Sequence, residues 1–114
     1  MESIEIKIAT DFNYTPGPRY IEEGKNSGEQ FRREILANAF KTAIAKNKKV
    51  IIDLDGTDGY GTSFLEESFG GLIRNDKIDY NEIINRLEII SNEEEYIKED
   101  VYEYIEDAHN EASN

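Results

Sequence analysis

The 114 residues carry 25 acidic and 13 basic side chains, which gives a net charge of −12, and they include no cysteine. This length predicts one domain with a single hydrophobic core. Without cysteine the chain has no disulfide framework and no thiolate metal site. The sequence also lacks an apolar run of the ~18 residues that a membrane span needs, and its first residues do not have the pattern of a signal peptide. We therefore expect a cytoplasmic protein.

The acidic residues are concentrated towards one end of the chain. Residues 93–114 contain nine Asp and Glu side chains against Lys98, so this fifth of the chain carries −8 of the net charge. Such a surface repels nucleic acid and favours a basic protein partner. A solvated helix face explains the same composition without a partner. Among the tyrosines of this segment, we expect Tyr104 to face the core and Tyr102 to be more exposed.

The first third of the chain predicts a β-hairpin followed by a helix. Residues 3–9 alternate isoleucine with other residues, as in a strand with one buried face. A segment rich in Pro and Gly turn signals leads to residues 19–22, which are predicted as a short second strand that pairs with the first. Ser27 and Gln30 then form a capping box at the start of a helix that ends near Asn47.

The middle of the chain predicts a buried strand, a loop and a second helix. Residues 50–54 (VIIDL) form a short apolar run that is typical of a central strand covered on both faces. Three glycines within residues 55–61 predict a tight loop. Ser63 and Glu66 have the spacing of a second capping box, which predicts a helix over residues 63–74.

The last third of the chain completes a small α/β layer fold. We predict a short helix over residues 79–85, a strand over residues 86–90 and an acidic helix over residues 94–108. The order of strands and helices predicts a sheet with helices packed against it. We expect one domain over residues 1–110 and a frayed tail over residues 111–114.

One short motif indicates a different function. The sequence DLDGT after a strand resembles the nucleophile motif of haloacid-dehalogenase-type phosphatases, with Asp53 as nucleophile, Asp55 as general acid/base and Mg²⁺ bound nearby. However, Asp58 and Gly59 stand where that superfamily usually has an aliphatic pair. No strand follows Ser91 to supply the further carboxylates of a magnesium site. The alternative interpretation is that the two aspartates end the strand and open a turn.

The hydroxyl pair after the glycine loop indicates a regulatory function. A strand, a loop, two hydroxyl residues at a helix start and the sequence LEESFGGL together resemble the STAS domain, whose bacterial members act as anti-sigma factor antagonists. The resemblance places residues 61–65 on the stretch that a partner kinase phosphorylates. Thr62 takes the phospho-acceptor position and Ser63 the neighbouring hydroxyl, whereas Gly61 and Phe64 replace the aspartate and the glycine of that motif.

A closer resemblance is to a STAS-like family of unknown function found in bacteria and phages. It covers the turn at residues 16–19, the helix start at residues 27–36 and the segment 63–72. The resemblance implies a mixed sheet of about four strands with helices mainly on one face. It also implies a histidine-kinase-like ATPase as partner.

We therefore predict a regulatory protein-interaction module that is not an enzyme and binds no cofactor, metal, nucleic acid or membrane. A phosphate on Thr62 or Ser63 would lie beside the positive end of the helix dipole and change the charge of the surface. A second alternative is an inhibitor that mimics nucleic acid with the acidic helix of residues 93–111. The predicted partner-binding residues are Gly59, Tyr60, Gly61, Thr62, Ser63 and Glu66.

Overall fold

The computed structural model describes residues 1–113, and its framework is a parallel sheet. Strands β1 (Ser3–Lys7), β2 (Lys49–Asp53) and β3 (Leu87–Ile90) lie in the order β1-β2-β3, and both neighbouring pairs are parallel. Within these residues the sheet has three strands, so the predicted mixed sheet of about four strands is wrong. The strands are parallel because a helical connection separates each from the next, as a parallel pair requires.

The predicted hairpin is absent because residues 19–22 do not form a strand. Two of their backbone amides donate hydrogen bonds to nearby carboxylates. The amide of Tyr20 donates to Glu23 and that of Ile21 donates to Glu29, each at 2.9 Å. A short 3-10 helix, Ile21–Glu23, results. Alternation in a four-residue segment is a weak signal, and these local hydrogen bonds outweigh it.

Helix α1 spans residues 28–46 in three consecutive segments, Gly28–Phe31, the π-helical Arg32–Leu36 and Ala37–Lys46. The hydroxyl of Ser27 accepts a hydrogen bond from the Gln30 amide at 3.0 Å, as predicted. The side chain of Gln30 accepts from the amide of Asn26 at 3.2 Å instead of that of Ser27. Asn47 ends the helix in the left-handed conformation, with φ 54°.

Three further helices follow α1. Helix α2 spans residues 62–74 and also contains a π-helical turn, Glu66–Gly70. Helices α3 (Tyr80–Arg86) and α4 (Tyr96–Ala112) flank β3 along the chain. Helix α4 runs into the segment predicted as a tail, and Asn114 lies outside the described residues. Among residues 1–113, no helix is both long enough and apolar enough to cross a membrane.

The helices cover one face of the sheet. The alternate residues Ile6, Ile52 and Ile89 are buried beneath them, together with the fully buried rings of Phe31 and Phe64. On the opposite face, charged side chains surround the half-buried Ile51 and Ile90. The prediction that β2 is covered on both faces is therefore wrong, because its outward residues remain partly accessible.

Helices α1 and α2 approach each other closely at their first turns. A Cβ atom at Gly28 would lie 2.4 Å from the carbonyl oxygen of Phe64, so glycine permits this backbone contact. The hydroxyl of Ser68 donates to the carbonyl of Phe64 at 2.7 Å. The start of α2 is thus held in a fixed position on the body of the domain.

Candidate functional site

The loop between β2 and α2 positions the predicted site. It begins with a turn in which the Asp53 carboxylate accepts a hydrogen bond from the Asp55 amide at 2.9 Å. Gly59 then adopts φ 128°, a conformation that L side chains rarely adopt. The Tyr60 hydroxyl closes the loop by donating to the carbonyl oxygen of Leu54 at 2.8 Å. Burial raises the pKa of Tyr60 above its ordinary value.

Aromatic packing connects this loop to the core. The Tyr60 ring lies 5.8 Å from the Phe64 ring, measured between centroids, and the Phe64 ring lies 5.9 Å from that of Phe31. Phe31 and Phe64 are fully buried, whereas Tyr60 is half-buried at the surface. The loop is therefore anchored by both a hydrogen bond and an aromatic contact.

Thr62 and Ser63 are exposed at the start of α2. The N-cap residue is Gly61, and no side chain caps the helix, so the predicted capping box of Ser63 and Glu66 is wrong. Neither hydroxyl has a hydrogen-bond partner within residues 1–113. Both are free to react or to contact a partner.

Glu66 points towards a cluster of arginines instead of towards the helix start. Its carboxylate binds Arg19 and lies 2.9 Å from the guanidinium of Arg74. Burial alone would raise the pKa of Glu66, but hydrogen bonds from Arg74 and Arg19 outweigh this effect and lower it. Glu66 was predicted to bind a partner, and the structure places it in an intramolecular ion pair.

A groove of about 290 Å³ separates the start of α2 from the start of α4. Tyr96 is 62% exposed on this groove. We predicted Tyr102 to be more exposed than a core-facing Tyr104, but both are half-buried, and the Tyr102 hydroxyl donates to the carbonyl of Leu87 at 3.2 Å. The position of α4 beside the predicted site was not foreseen. The four-residue spacing of Tyr96, Asp100 and Tyr104 puts these residues on one helix flank, but it does not indicate which element that flank faces. The lining residues are Gly59, Tyr60, Thr62, Leu65, Glu94, Tyr96, Ile97, Asp100 and Tyr104.

A comparison with protein-family models identifies the fold family. The model of a STAS-like domain of unknown function matches residues 27–96, which is more than half of the chain. The chain belongs to this family. The STAS-like resemblance inferred from the sequence is confirmed, and the matched residues include β2, β3, the glycine loop and all of α2. Neither the search of curated proteins nor the search of solved structures returned a match.

In this STAS-like domain the two aspartates of the DLDGT motif make structural contacts. Asp55 accepts hydrogen bonds from the amides of Glu93, at 3.0 Å, and Asn92, at 3.2 Å. The hydrogen bond from Glu93 lowers the pKa of Asp55, and those from Asn92 lower it further. Asp53 lies 3.3 Å from the ammonium group of Lys7. The contacts of Asp55 tie the glycine loop to the segment before α4, whereas the Asp53 pair joins the end of β2 to β1.

The described residues 1–113 contain no group of three or more His, Asp or Glu side chains placed to hold a metal ion. The groups present at the α2 start are two exposed hydroxyls, a tyrosine-lined groove and the carboxylates of Glu94 and Asp100. These groups can bind a polypeptide or accept a phosphoryl group from another protein.

Proposed function

We propose that this STAS-like domain is a regulatory module that binds a protein partner at the start of α2. The observation that carries the proposal is that Thr62 and Ser63 are exposed beside a groove. They directly follow a loop that the Tyr60 hydrogen bond anchors. Because the loop is already ordered in the free protein, binding a partner costs less conformational entropy. The family resemblance favours a histidine-kinase-like ATPase as the partner.

We further propose that phosphorylation of Thr62 or Ser63 regulates this binding. A phosphate adds about −1.5 to −2 charges at neutral pH. At the start of α2 it lies next to the free amides of the first helical turn, where the helix dipole favours an anion. Thr62 also lines the groove with Glu94 and Asp100, so the added charge alters the potential that a partner meets there.

The first experiment locates the interface. A photo-reactive amino acid is placed at position 62 and, as a control, at the exposed position 42 on α1, and both proteins are irradiated in extracts of the source cells. The proposal predicts a covalent partner from position 62 that is absent from position 42. The partner is then identified by mass spectrometry and purified.

The second experiment measures the affinity of that partner by calorimetry. Thr62→Ala with Ser63→Ala, and Thr62→Glu with Ser63→Glu, are compared with the unmodified protein. We expect the Glu pair to change Kd by about fivefold or more, as one charged contact at an interface does. If both pairs fold and neither changes Kd, the proposed function is wrong.

A further inference from the structure

We infer that the groove between α2 and α4 accepts an arginine-bearing segment of the protein partner. The inference rests on the proposed function, because the groove includes Gly59, Tyr60 and Thr62 of the same surface. It adds the chemistry of the partner, which the proposed function leaves open.

The charge of the groove distinguishes it from other depressions on the surface. Its lining includes the carboxylates of Glu94 and Asp100 and no lysine or arginine. Three other surface grooves each contain a basic side chain, Lys98, Arg33 or Lys7. Lys98 is the only Lys or Arg within residues 93–113, and it lies on the opposite flank of α4. The charged side chains that line the groove are therefore both acidic, which favours a cation there.

The aromatic lining favours a guanidinium group. Tyr60, Tyr96 and Tyr104 line the groove, and Tyr96 is the most exposed of them. The Tyr96 hydroxyl donates to the Glu94 carboxylate, which brings a ring and a negative charge together. An arginine side chain stacks on such a ring and bonds a carboxylate with two parallel N–H groups, whereas lysine offers a point charge only.

The same features disfavour other occupants. The net charge of −12 repels the phosphates of nucleic acids and the head groups of anionic lipids. An acidic peptide would place its carboxylates against Glu94 and Asp100 without a base to pair with. The arginine of an arginine-bearing segment matches the charge and the rings of the groove. Apolar residues that flank the arginine match Leu65 and Ile97, which are largely buried and also line the groove.

Synthetic peptides test this chemistry without the natural partner. We would titrate the ¹⁵N-labelled protein with an amphipathic peptide of about 15 residues built from Leu, Ala and Arg. Matched peptides carry Lys or Glu in place of Arg. The inference predicts amide shift changes in residues 59–65 and 94–104 with the Arg peptide, binding about threefold or more weaker with Lys, and no binding with Glu.

Protein variants locate the contact. Tyr96→Ala should weaken binding of the Arg peptide by about tenfold through loss of the cation–π contact, and Tyr96→Phe, which keeps the ring, should retain most of it. Asp100→Asn should weaken binding by about fivefold, whereas Glu99→Gln, which removes the same charge from the other flank of α4, should have less than a twofold effect. Any of three results would overturn the inference. The Glu peptide binds as tightly as the Arg peptide, the amide shift changes are confined to another groove, or D100N and E99Q weaken binding of the Arg peptide equally.

The Kd of the natural partner for the Thr62 and Ser63 variants distinguishes a failure of this inference from a failure of the proposed function. If Thr62→Glu with Ser63→Glu tightens Kd, both hold, because added negative charge attracts a cationic segment. If the Glu pair weakens Kd, the partner binds at this surface but is not cationic, and only the inference fails. If Kd does not change with either pair, the proposed function fails as well.

Discussion

The guanidinium of Arg32 in α1 lies 3.1 Å from the carboxylate of Glu67 in α2, and each of these side chains is 4% exposed. Arg32 also binds Asp76 at 2.7 Å, just beyond the end of α2. Both members of the pair lie in the π-helical segments of their helices. Because one ion pair joins two helices inside the domain, it fixes the position of α2, whose first turn carries the proposed interface.

Removing Arg32 should destabilise the protein strongly. Arg32→Ala removes the closest counter-ion of the buried Glu67 and leaves Arg74, at 3.4 Å, and Arg19, at 3.7 Å, as its remaining partners. Breaking a buried ion pair typically lowers the free energy of unfolding by about 3–5 kcal/mol, and because two partners remain we expect a loss near the lower end of this range. The neighbouring Arg33 is 62% exposed, and within residues 1–113 its one ion-pair partner is Glu29 on the same helix. Arg33→Ala should therefore cost less than about 0.5 kcal/mol. Urea unfolding followed by circular dichroism measures both, and equal midpoints for the two variants would contradict the role given to Arg32.

Gly28→Ala should force α1 and α2 apart. The added methyl group would meet the backbone carbonyl of Phe64, which cannot rotate away as a side chain can. We expect a loss of about 1–3 kcal/mol or more in the free energy of unfolding. Gly61 is the control, because a Cβ there has open space and its φ of −79° suits any residue. Gly61→Ala should cost less than about 1 kcal/mol, the range for replacing an N-cap glycine. A Gly28→Ala protein as stable as Gly61→Ala would show that the close helix contact is absent in solution.

Tyr60→Phe should loosen the glycine loop. The substitution keeps the ring contact with Phe64 and removes the hydrogen bond to Leu54, at a cost of about 0.5–1.5 kcal/mol. We expect faster hydrogen exchange at the amides of residues 57–62 and little change in the sheet. Tyr20, which is exposed, provides the matched control substitution. Unchanged exchange in the loop would mean that the hydroxyl does not anchor it.

The contribution of Asp55 should depend on pH. Its pKa is lower in the folded protein than in the unfolded chain, because the amides of Glu93 and Asn92 stabilise the carboxylate. The stabilisation is therefore complete above about pH 4, the pKa of a free aspartate, and is lost as the pH falls through the folded-state value.

Asp55→Asn should lower the free energy of unfolding at neutral pH by about 1 kcal/mol, a modest amount because the carboxylate is only partly buried. The difference from the unmodified protein should shrink at acid pH. Asp58, an exposed neighbour, serves as the control, and Asp58→Asn should show neither effect. A pH-independent deficit in Asp55→Asn would show that the charge of Asp55 is not involved.

Much of the fold was predictable because the patterns that specify it are local. The alternation at Ile4, Ile6 and Ile8, the apolar run ending at Leu54 and the Ser27 cap each depend on a few neighbouring residues. The predictions for β2 and the start of α1 agree with the structure, whereas β1 ends at Lys7 and the last two residues predicted for it lie in a π-helical segment, Ile8–Phe12. The family resemblance was recognisable for the same reason, since its motifs are short segments of sequence.

The remaining features depend on contacts between distant residues. Arg19 lies in a segment whose local pattern predicts a strand, but its side chain binds Glu66, 47 residues further along the chain. Glu66 is consequently unavailable for the cap that its spacing to Ser63 suggested. The groove likewise requires knowing that α4 lies against α2, which no spacing within either helix reveals.

The affinity of the natural partner for the Thr62→Glu, Ser63→Glu protein tests the central claim most directly. The reference is a protein with the same two added charges on the exposed positions 42 and 45 of α1. A partner bound at the start of α2 predicts a Kd that changes by about fivefold or more for the first protein and by less than twofold for the reference. Equal Kd values for the two folded proteins would contradict it.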